Sequence, residues 1–384
     1  MWRSVASNGL SFLLVALFLL GALVLWGQNK YTAAGPLEQP ICLRVEKGSD
    51  MKRVSRNLQA SRAIENDTIF RLGTDYTGKS EKLKAGSFLI PAAASMDAIA
   101  ELVTRNGAST CGTEIVYRIG VTRTAVQLRE LDPQSNRFDK KAEFNPADQT
   151  APEIFERAEA LSDTRFRVLM AEGVTSWQVR QVLLAIDQLT GDIDTVPEEG
   201  SLAPDSYEIR VGDSRQGVIE RMQAAQDAIL EMAWKNRAKG LPLETLQQTL
   251  VLASIVEKET GIPTERRQVA SVFINRLNRG IRLQTDPTVI YGITKGEKTL
   301  GRGLRRSELD RKTPWNTYRI DGLPPTPIAN PGRASIEAVL NPDQTNFLFF
   351  VADGTGGHTF SETLSQHNAN VRKWRAIEAG KPKK

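Results

Sequence analysis

Two carboxylates stand two residues apart at the end of an apolar run, Glu257 and Glu259 in TLVLASIVEKET. Cleavage of a glycosidic bond usually asks for a pair of acids, one donating a proton and one attacking or activating water. Helical geometry keeps these two from sharing one sugar, because residues two apart diverge by about 200° around the axis. One of them can act while the other is solvated or ion-paired. Leu252, Ile255 and Val256 flank Glu259, whereas Leu250, Ala253 and Ser254 flank Glu257. A carboxylate in the last helical turn meets the negative end of the macrodipole, and apolar neighbours desolvate it. Both effects raise its pKa, which suits a general acid. An exposed Glu at a fraying helix end is the competing reading, and the residue pattern alone leaves that choice open.

Other chemistries are poorly supplied. Two histidines, His358 and His367, and two cysteines, Cys42 and Cys111, leave little for a His-rich or Cys-rich metal site, so no metal and no cofactor are expected. His358, in GGHTF, reads as a loop-shaping hydrogen bonder with at most a substrate contact, and His367 as a surface helix residue. Ser254 and Ser361 lack a His–acid pair, which argues against a serine hydrolase. Arg302, Arg305, Arg306 and Arg311 form a basic stretch before Trp315. It reads as a solvated face, with peptide carboxylates or anionic lipid as the alternative.

Four segments in order, SIVEKETGIPTERRQVASVFINRL, LQTDPTVIYGI, NTYRIDGLPPTPIANPG and FLFFVADGTGGHTFSETLSQHN, resemble the YceG-like family of endolytic murein transglycosylases. The resemblance runs from about Phe166 to the C-terminus. It implies cleavage of nascent peptidoglycan strands between N-acetylmuramic acid and N-acetylglucosamine, leaving 1,6-anhydro ends and terminating elongation. The family's catalytic acid falls on Glu259, and Glu259-Thr260 resembles the Glu-Ser pair of other lytic transglycosylases. One acid is enough for that reaction. Protonated Glu259 would donate to the glycosidic oxygen, and its carboxylate would then take the proton of the muramoyl C6 hydroxyl as that oxygen closes onto C1. The substrate's own N-acetyl group would stabilise the oxocarbenium-like charge.

The resemblance also implies substrate contacts from Glu257, Asn275, Arg276, Gln284, Thr285, Asp286, Tyr291, Asn316, Tyr318, Asn330 and His358, with Thr317 in the same motif. Amides and hydroxyls suit sugar hydroxyls and N-acetyl groups, and Tyr rings can stack on pyranose faces. For each, a hydrogen bond that fixes a loop is the alternative. Asp286 carries a further one, as a second carboxylate that would make the enzyme a hydrolytic muramidase. A wall-binding scaffold with a silent catalytic domain is the remaining reading.

The elements that must position these residues give an α+β fold class. Cys42–Val45 reads as a strand, Asp50 as the cap of a helix bearing Val54 and Leu58, Thr68–Leu72 as a second helix and LKAGSFLIP as a returning strand. Ser95-Met96-Asp97 starts another helix. This small βααβ order, at 41–106, is LysM-like. Residues 107–160 read as one strand, EIVYRIGVT, and a flexible insertion, because Leu131 to Pro152 is polar and shows no sustained period. The catalytic domain, 161–384, begins with a strand at TRFRVLMAEGVT and a helix from Ser176 using Val179, Val182 and Leu183. GSLAPDSYEIRVG follows as loop and strand, then a long helix from Ser214 to about Lys239. The helix ending at EKET is expected to stop with Gly261 at C′, and the next, from near Thr264 to Arg279, with Gly280.

Composition averages hide one segment. Over 384 residues the mean hydropathy is −0.31 and Lys+Arg exceed Asp+Glu by 50 − 45 = 5, values of an ordinary globular protein that do not call for nucleic acid. Yet residues 9–27 contain LSFLLVALFLLGALVLW, about the length of a hydrocarbon core. Arg3 precedes the run, so residues 1–8 are expected to stay cytoplasmic, 9–27 to anchor the chain in the membrane and everything after residue 27 to be exported. A cleaved signal peptide is the alternative, but the run is long for one and no small-x-small site follows it directly. The expected place is the bacterial inner membrane, single-pass, with the catalytic domain in the periplasm. Residues 28–40 read as a tether, and the KPKK end as a disordered tail. In an exported domain Cys42 and Cys111 are candidates for one disulfide, with two buried thiols as the alternative. Expected partners are peptidoglycan strands, the inner membrane and peptidoglycan synthases.

Overall fold

The computed structural model describes residues 2–105, 109–161 and 163–380, with only the backbone of 2–11. The expected tail at 381–384 and the expected boundary at 106–107 lie outside the described residues. Helix α1 (Trp2–Thr32) opens the chain. Its segment Phe12–Thr32 has a mean hydropathy of 2.0 and is exposed from Phe12 to Trp26, so it is long and apolar enough to cross a membrane. The helix does not stop at Trp26. Residues 28–32, expected as tether, continue it, because QNKYT contains no breaker and the first proline is Pro36. Tyr31 is buried with its ring against Gly73, where any Cβ would lie within 2.3 Å of the ring. Residues 33–40 then run as irregular chain with Leu37 in the core.

Strand β1 (Ile41–Val45) leads to α2 (Met51–Ala60) and α3 (Asp67–Tyr76), then to β2 (Gly86–Ile90) and α4 (Met96–Thr104). Each helix starts where a side-chain acceptor is available. Asp50 accepts from Arg53 N, Asn66 from Thr68 N and Ile69 N, and Ser95 from Ala98 N. β1 and β2 pair antiparallel, Cys42 opposite Leu89 and Val45 opposite Gly86. Val54, Leu58, Phe70, Ile90, Ile99 and Val103 fill the core between sheet and helices. Cys42 and Cys111 form a disulfide with their Cα atoms 5.7 Å apart.

Strands β3 (Thr113–Ile119), β4 (Thr124–Asp132), β5 (Arg137–Phe144), β6 (Arg165–Met170) and β7 (Ser206–Ile209) make one sheet in the order β5-β4-β3-β6-β7, with α5 (Glu153–Glu159) between β5 and β6. The reading of 107–160 as one strand and a flexible insertion is therefore corrected. β5, RFDKKAEF, is an edge strand, and edge strands carry charge that discourages further pairing. That charge is what hid it. The β4–β5 turn is set by Asp132, whose carboxylate accepts from Gln134 N, and by Asn136 at φ 53°. Phe144 packs edge-on against Phe155 at 4.8 Å, anchoring α5.

The chain forms two compact units, one holding residues up to Val116, Gln127–Phe144 and Gln149–Phe166, the other Tyr117–Val126, Asn145–Asp148 and the chain from Arg167. In the second, α6 (Ser176–Leu184) and α7 (Arg215–Lys235) precede α8 (Leu246–Glu259), α9 (Arg266–Asn278) and α10 (Asp286–Thr294). Then come α11 (Arg306–Asp310), α12 (Arg333–Leu340), the hairpin β8 (Phe349–Ala352) and β9 (His358–Ser361), and α13 (Leu364–Ala379). The eight residues Thr249–Val256 of α8 are all buried, among α7, α9 and α12. Burying one Leu, Ile or Val contributes about 1.5–3 kcal/mol, so this helix is held rigidly. A rigid helix gives its last turn a fixed direction. Gly261 does not serve as a left-handed C′ residue. Thr260 instead leaves the helix extended (φ −140°, ψ 129°), and its hydroxyl accepts from Ile262 N at 3.0 Å. Gly280, at φ 64°, does end α9.

Candidate active site

Glu259, on the last turn of α8, faces a cleft of about 460 Å³. The opposite walls come from the segment Leu283–Asp286, Tyr318, Phe349 and Phe350 of β8, and Leu364, His367 and Asn368 of α13. Thr285 donates its hydroxyl to Glu259 Oε1. Thr285 is itself fixed, because its N–H donates to Thr317 Oγ1 at 3.0 Å and Thr317 is wholly buried. Burial pushes the Glu259 carboxyl above its usual range, and Asp286 adds to that rise. The Thr285 hydrogen bond, His358 and Arg276 oppose it without cancelling it. The group at the cleft is thus an acid biased toward its protonated form.

Gln284, Thr285 and Asp286 stand together at the start of α10, where Gln284 adopts φ 50°. That left-handed turn is what swings the segment across the cleft. Tyr318 donates its hydroxyl to Asp286 Oδ1 at 2.7 Å, and burial holds its phenol protonated well above the ordinary tyrosine value. Arg276 lies in the floor. Its guanidinium donates to Leu348 O at 2.7 Å and Leu283 O at 2.6 Å, tying β8 and the 283–286 segment to α9. It also lies 5.3 Å from the Phe349 ring.

Other residues expected at the site do not line this cleft. Glu257 faces the opposite way and accepts from Gly332 N at 3.1 Å and Ser335 Oγ at 2.7 Å, capping α12. Its expected substrate contact is corrected, since its carboxylate is taken up at that helix N-terminus. Asn275 donates to the carbonyls of Thr345 and Phe347 at 2.8 and 3.0 Å. Asn316, 1 % exposed, donates to the carbonyls of Glu308, Leu309 and Arg311 and accepts from Tyr318 N. Asn330 is buried and donates to Val174 O at 3.0 Å while accepting from Leu202 N at 2.9 Å. These three amides hold loops, the alternative already open for each. Tyr291 lines a separate cavity beside Trp315. His358 Nδ1 and N–H both meet Glu265, at 2.8 and 2.9 Å, which fixes the β8–β9 hairpin beside the cleft.

His367, read as a surface helix residue, is half-buried on α13. It stacks on Phe349 with centroids 5.1 Å apart and forms a wall of the cleft, and burial together with Arg276 lowers its pKa. The signal was present in the chain, since His367 lies four residues after Thr363, whose side chain caps α13. That spacing sets its face on the first turn but does not say what the face meets. Phe349 and Phe350 were equally hidden, because alternation in a four-residue strand is too short to orient. Among the described residues no cluster of three or more His, Cys, Asp or Glu is placed to hold a metal ion.

A profile of the YceG-like family matches residues 43–373. The endolytic murein transglycosylase of Bacillus subtilis (strain 168) is 28 % identical over 337 residues, covering 86 % of this chain and 84 % of that protein. The protein of the same name from Streptococcus pneumoniae (strain R6) is 33 % identical over 180 residues, 45 % of this chain and 31 % of that longer one. A crystal structure of a YceG-like protein from Listeria monocytogenes shares 25 % identity at a TM-score of 0.45, covering 86 % of this chain and 99 % of that one.

Proposed function

This chain belongs to the YceG-like family, and on that premise we propose that it is an endolytic murein transglycosylase, a lyase acting on the glycan strands of peptidoglycan. The observation that carries the mechanism is a single acid, Glu259, biased toward protonation by burial and aimed into the cleft. Protonated Glu259 donates to the glycosidic oxygen as the bond to the muramoyl C1 breaks. The resulting carboxylate, still hydrogen-bonded by Thr285, accepts the C6 hydroxyl proton while the C6 oxygen bonds to C1. Protons balance, Glu259 returns to its acid form, and no water is consumed. The products are a 1,6-anhydro-muramoyl end and a new N-acetylglucosamine end.

Gln284 and Asp286 line the substrate path, with Tyr318 holding Asp286 by its hydroxyl. Phe349 and His367 offer a stacked surface to a sugar ring. Cutting nascent strands in this way terminates their elongation. We further assign the βααβ arrangement at 41–106 a LysM-like, glycan-binding role, and the segment at Phe12–Thr32 the role of inner-membrane anchor, with the catalytic domain at 161–384 in the periplasm beside peptidoglycan synthases. The deciding measurement is mass spectrometry of muropeptides released by the purified protein. Anhydro ends weigh one water less than reducing ends. Reducing ends only would make the enzyme a muramidase with Asp286 as its second carboxylate, and no release would leave a wall-binding scaffold.

A further inference from the structure

A second cavity, of about 350 Å³, lies directly behind the catalytic wall. Two pairs of consecutive residues establish this. Glu259 lines the cleft and Lys258 the second cavity; Asp286 lines the cleft and Pro287 the second cavity. Consecutive Cα atoms are about 3.8 Å apart, so at both points the partition is one residue thick.

The chemistry of this cavity differs from that of the cleft. Ile290, Tyr291, Leu300 and Ile328 give it an apolar body, whereas Lys258, Lys298 and Arg302 give it three cations. Lys258 Nζ donates to Gly173 O at 3.2 Å, one bond for a group with three N–H donors. Lys298 is exposed at the cavity. Arg302 is held at the rim by Glu308, which accepts from both Nη atoms. Burial lowers the Lys258 pKa, and the nearby carboxylates of Glu257 and Glu199 favour its charged form; Glu257 is taken up by Gly332 N and Ser335 Oγ, and burial pushes Glu199 up to about 7. An apolar pocket with spare ammonium donors suits a short peptide that ends in or carries carboxylates.

Peptidoglycan strands bear such peptides as branches on the muramoyl sugar, the sugar whose C1 the cleft must hold. We propose that the second cavity binds the carboxylate-bearing peptide branch of the strand being cut, with Lys258 and Lys298 as its counter-ions. The proposal rests on the transglycosylase reading and adds to it a selectivity for strands that still carry their peptides. It also gives Arg302 a place in the recognition surface, at the rim of a binding cavity.

The test compares glycan strands bearing peptides with the same strands stripped by an amidase, using the full chain in detergent. The wild-type protein is expected to show a higher kcat/KM on the peptide-bearing strands. Lys298→Glu and, separately, Lys258→Met are expected to lower the ratio of the two kcat/KM values by about tenfold. Lys298 is exposed, so its variant keeps the test valid even where Lys258→Met fails to fold. A wild-type ratio of one, or variants that depress both substrates equally, overturns the proposal. Release from neither substrate by the wild type overturns the transglycosylase reading itself, and this proposal with it.

Discussion

Glu257 and Glu259 leave the same helical turn on opposite errands. Glu257 caps α12 through Gly332 N and Ser335 Oγ, while Glu259 accepts the Thr285 hydroxyl inside the cleft. The angle of about 200° between them made this separation unavoidable. One carboxylate holds the scaffold, so the other can be held rigidly toward substrate.

Glu259→Gln is therefore expected to lower muropeptide release by about 10³-fold or more, in line with the loss of general acid–base catalysis, with little change in melting temperature. Glu257→Gln is expected to do the reverse. It weakens the α12 cap by about 1–2 kcal/mol and leaves kcat within a few-fold of wild type. Paired melting curves and release assays check both, and a collapse of activity in Glu257→Gln with stability intact would exchange the two roles.

The pH profile follows from the neighbours of Glu259. Activity needs the protonated acid, so kcat/KM falls as pH rises through its pKa, and burial places that limb above the ordinary carboxylate range. Thr285→Val removes a hydrogen bond that favours the charged form, so the alkaline limb moves to higher pH. Asp286→Asn removes a negative neighbour that favours the protonated form, so the limb moves to lower pH. Opposite displacements in the two variants are the expected outcome, read from initial rates across pH.

Glu199 titrates near neutrality in the folded protein, and its ordinary value is 4.5. The folded state thus holds a proton that the unfolded chain has released between these values. Stability from this group is full below about 4.5 and declines as pH rises to about 7, by up to roughly 3 kcal/mol. Glu199→Gln keeps an acceptor for Ser176 N and cannot ionise. Its unfolding free energy is expected to lose that decline, which denaturant melts at pH 5 and pH 8 would reveal.

The disulfide closes a loop of 69 residues around the βααβ segment. Replacing Cys42 and Cys111 together by Ser is expected to lower stability by about 2–4 kcal/mol. Catalytic release should persist wherever the protein remains folded. Denaturant unfolding with and without reductant, on wild type and variant, separates the contribution.

Local rules carried much of the fold. Asp50, Ser95 and Ser214 all stand at helix starts where the sequence context places them, and the strands around Cys42 and Phe166 stand where they were read. What failed was β5, because an edge strand is charged for a reason that periodicity reads as loop. Glu259, Arg276, Gln284, Thr285, Asp286 and Tyr318, named together from the resemblance, line one cleft. Asn275, Asn316 and Asn330 come from the same motifs but spend their amides on backbone carbonyls. Sequence alone cannot tell an amide offered to a sugar from one offered to a loop, since both need the same donors. His367 was missed because its wall is completed by Phe349, 18 residues earlier in the chain.

The unbroken course of α1 into Tyr31 has a mechanical meaning. A helix that ends in a floppy leader lets its cargo wander, but the last turn of α1 is wedged into the core of the β1–β2 unit against Gly73. Where the exposed run from Phe12 to Trp26 crosses a bilayer, that unit inherits the tilt and rotation of the helix, and its height above the lipid is set like the hub on an axle.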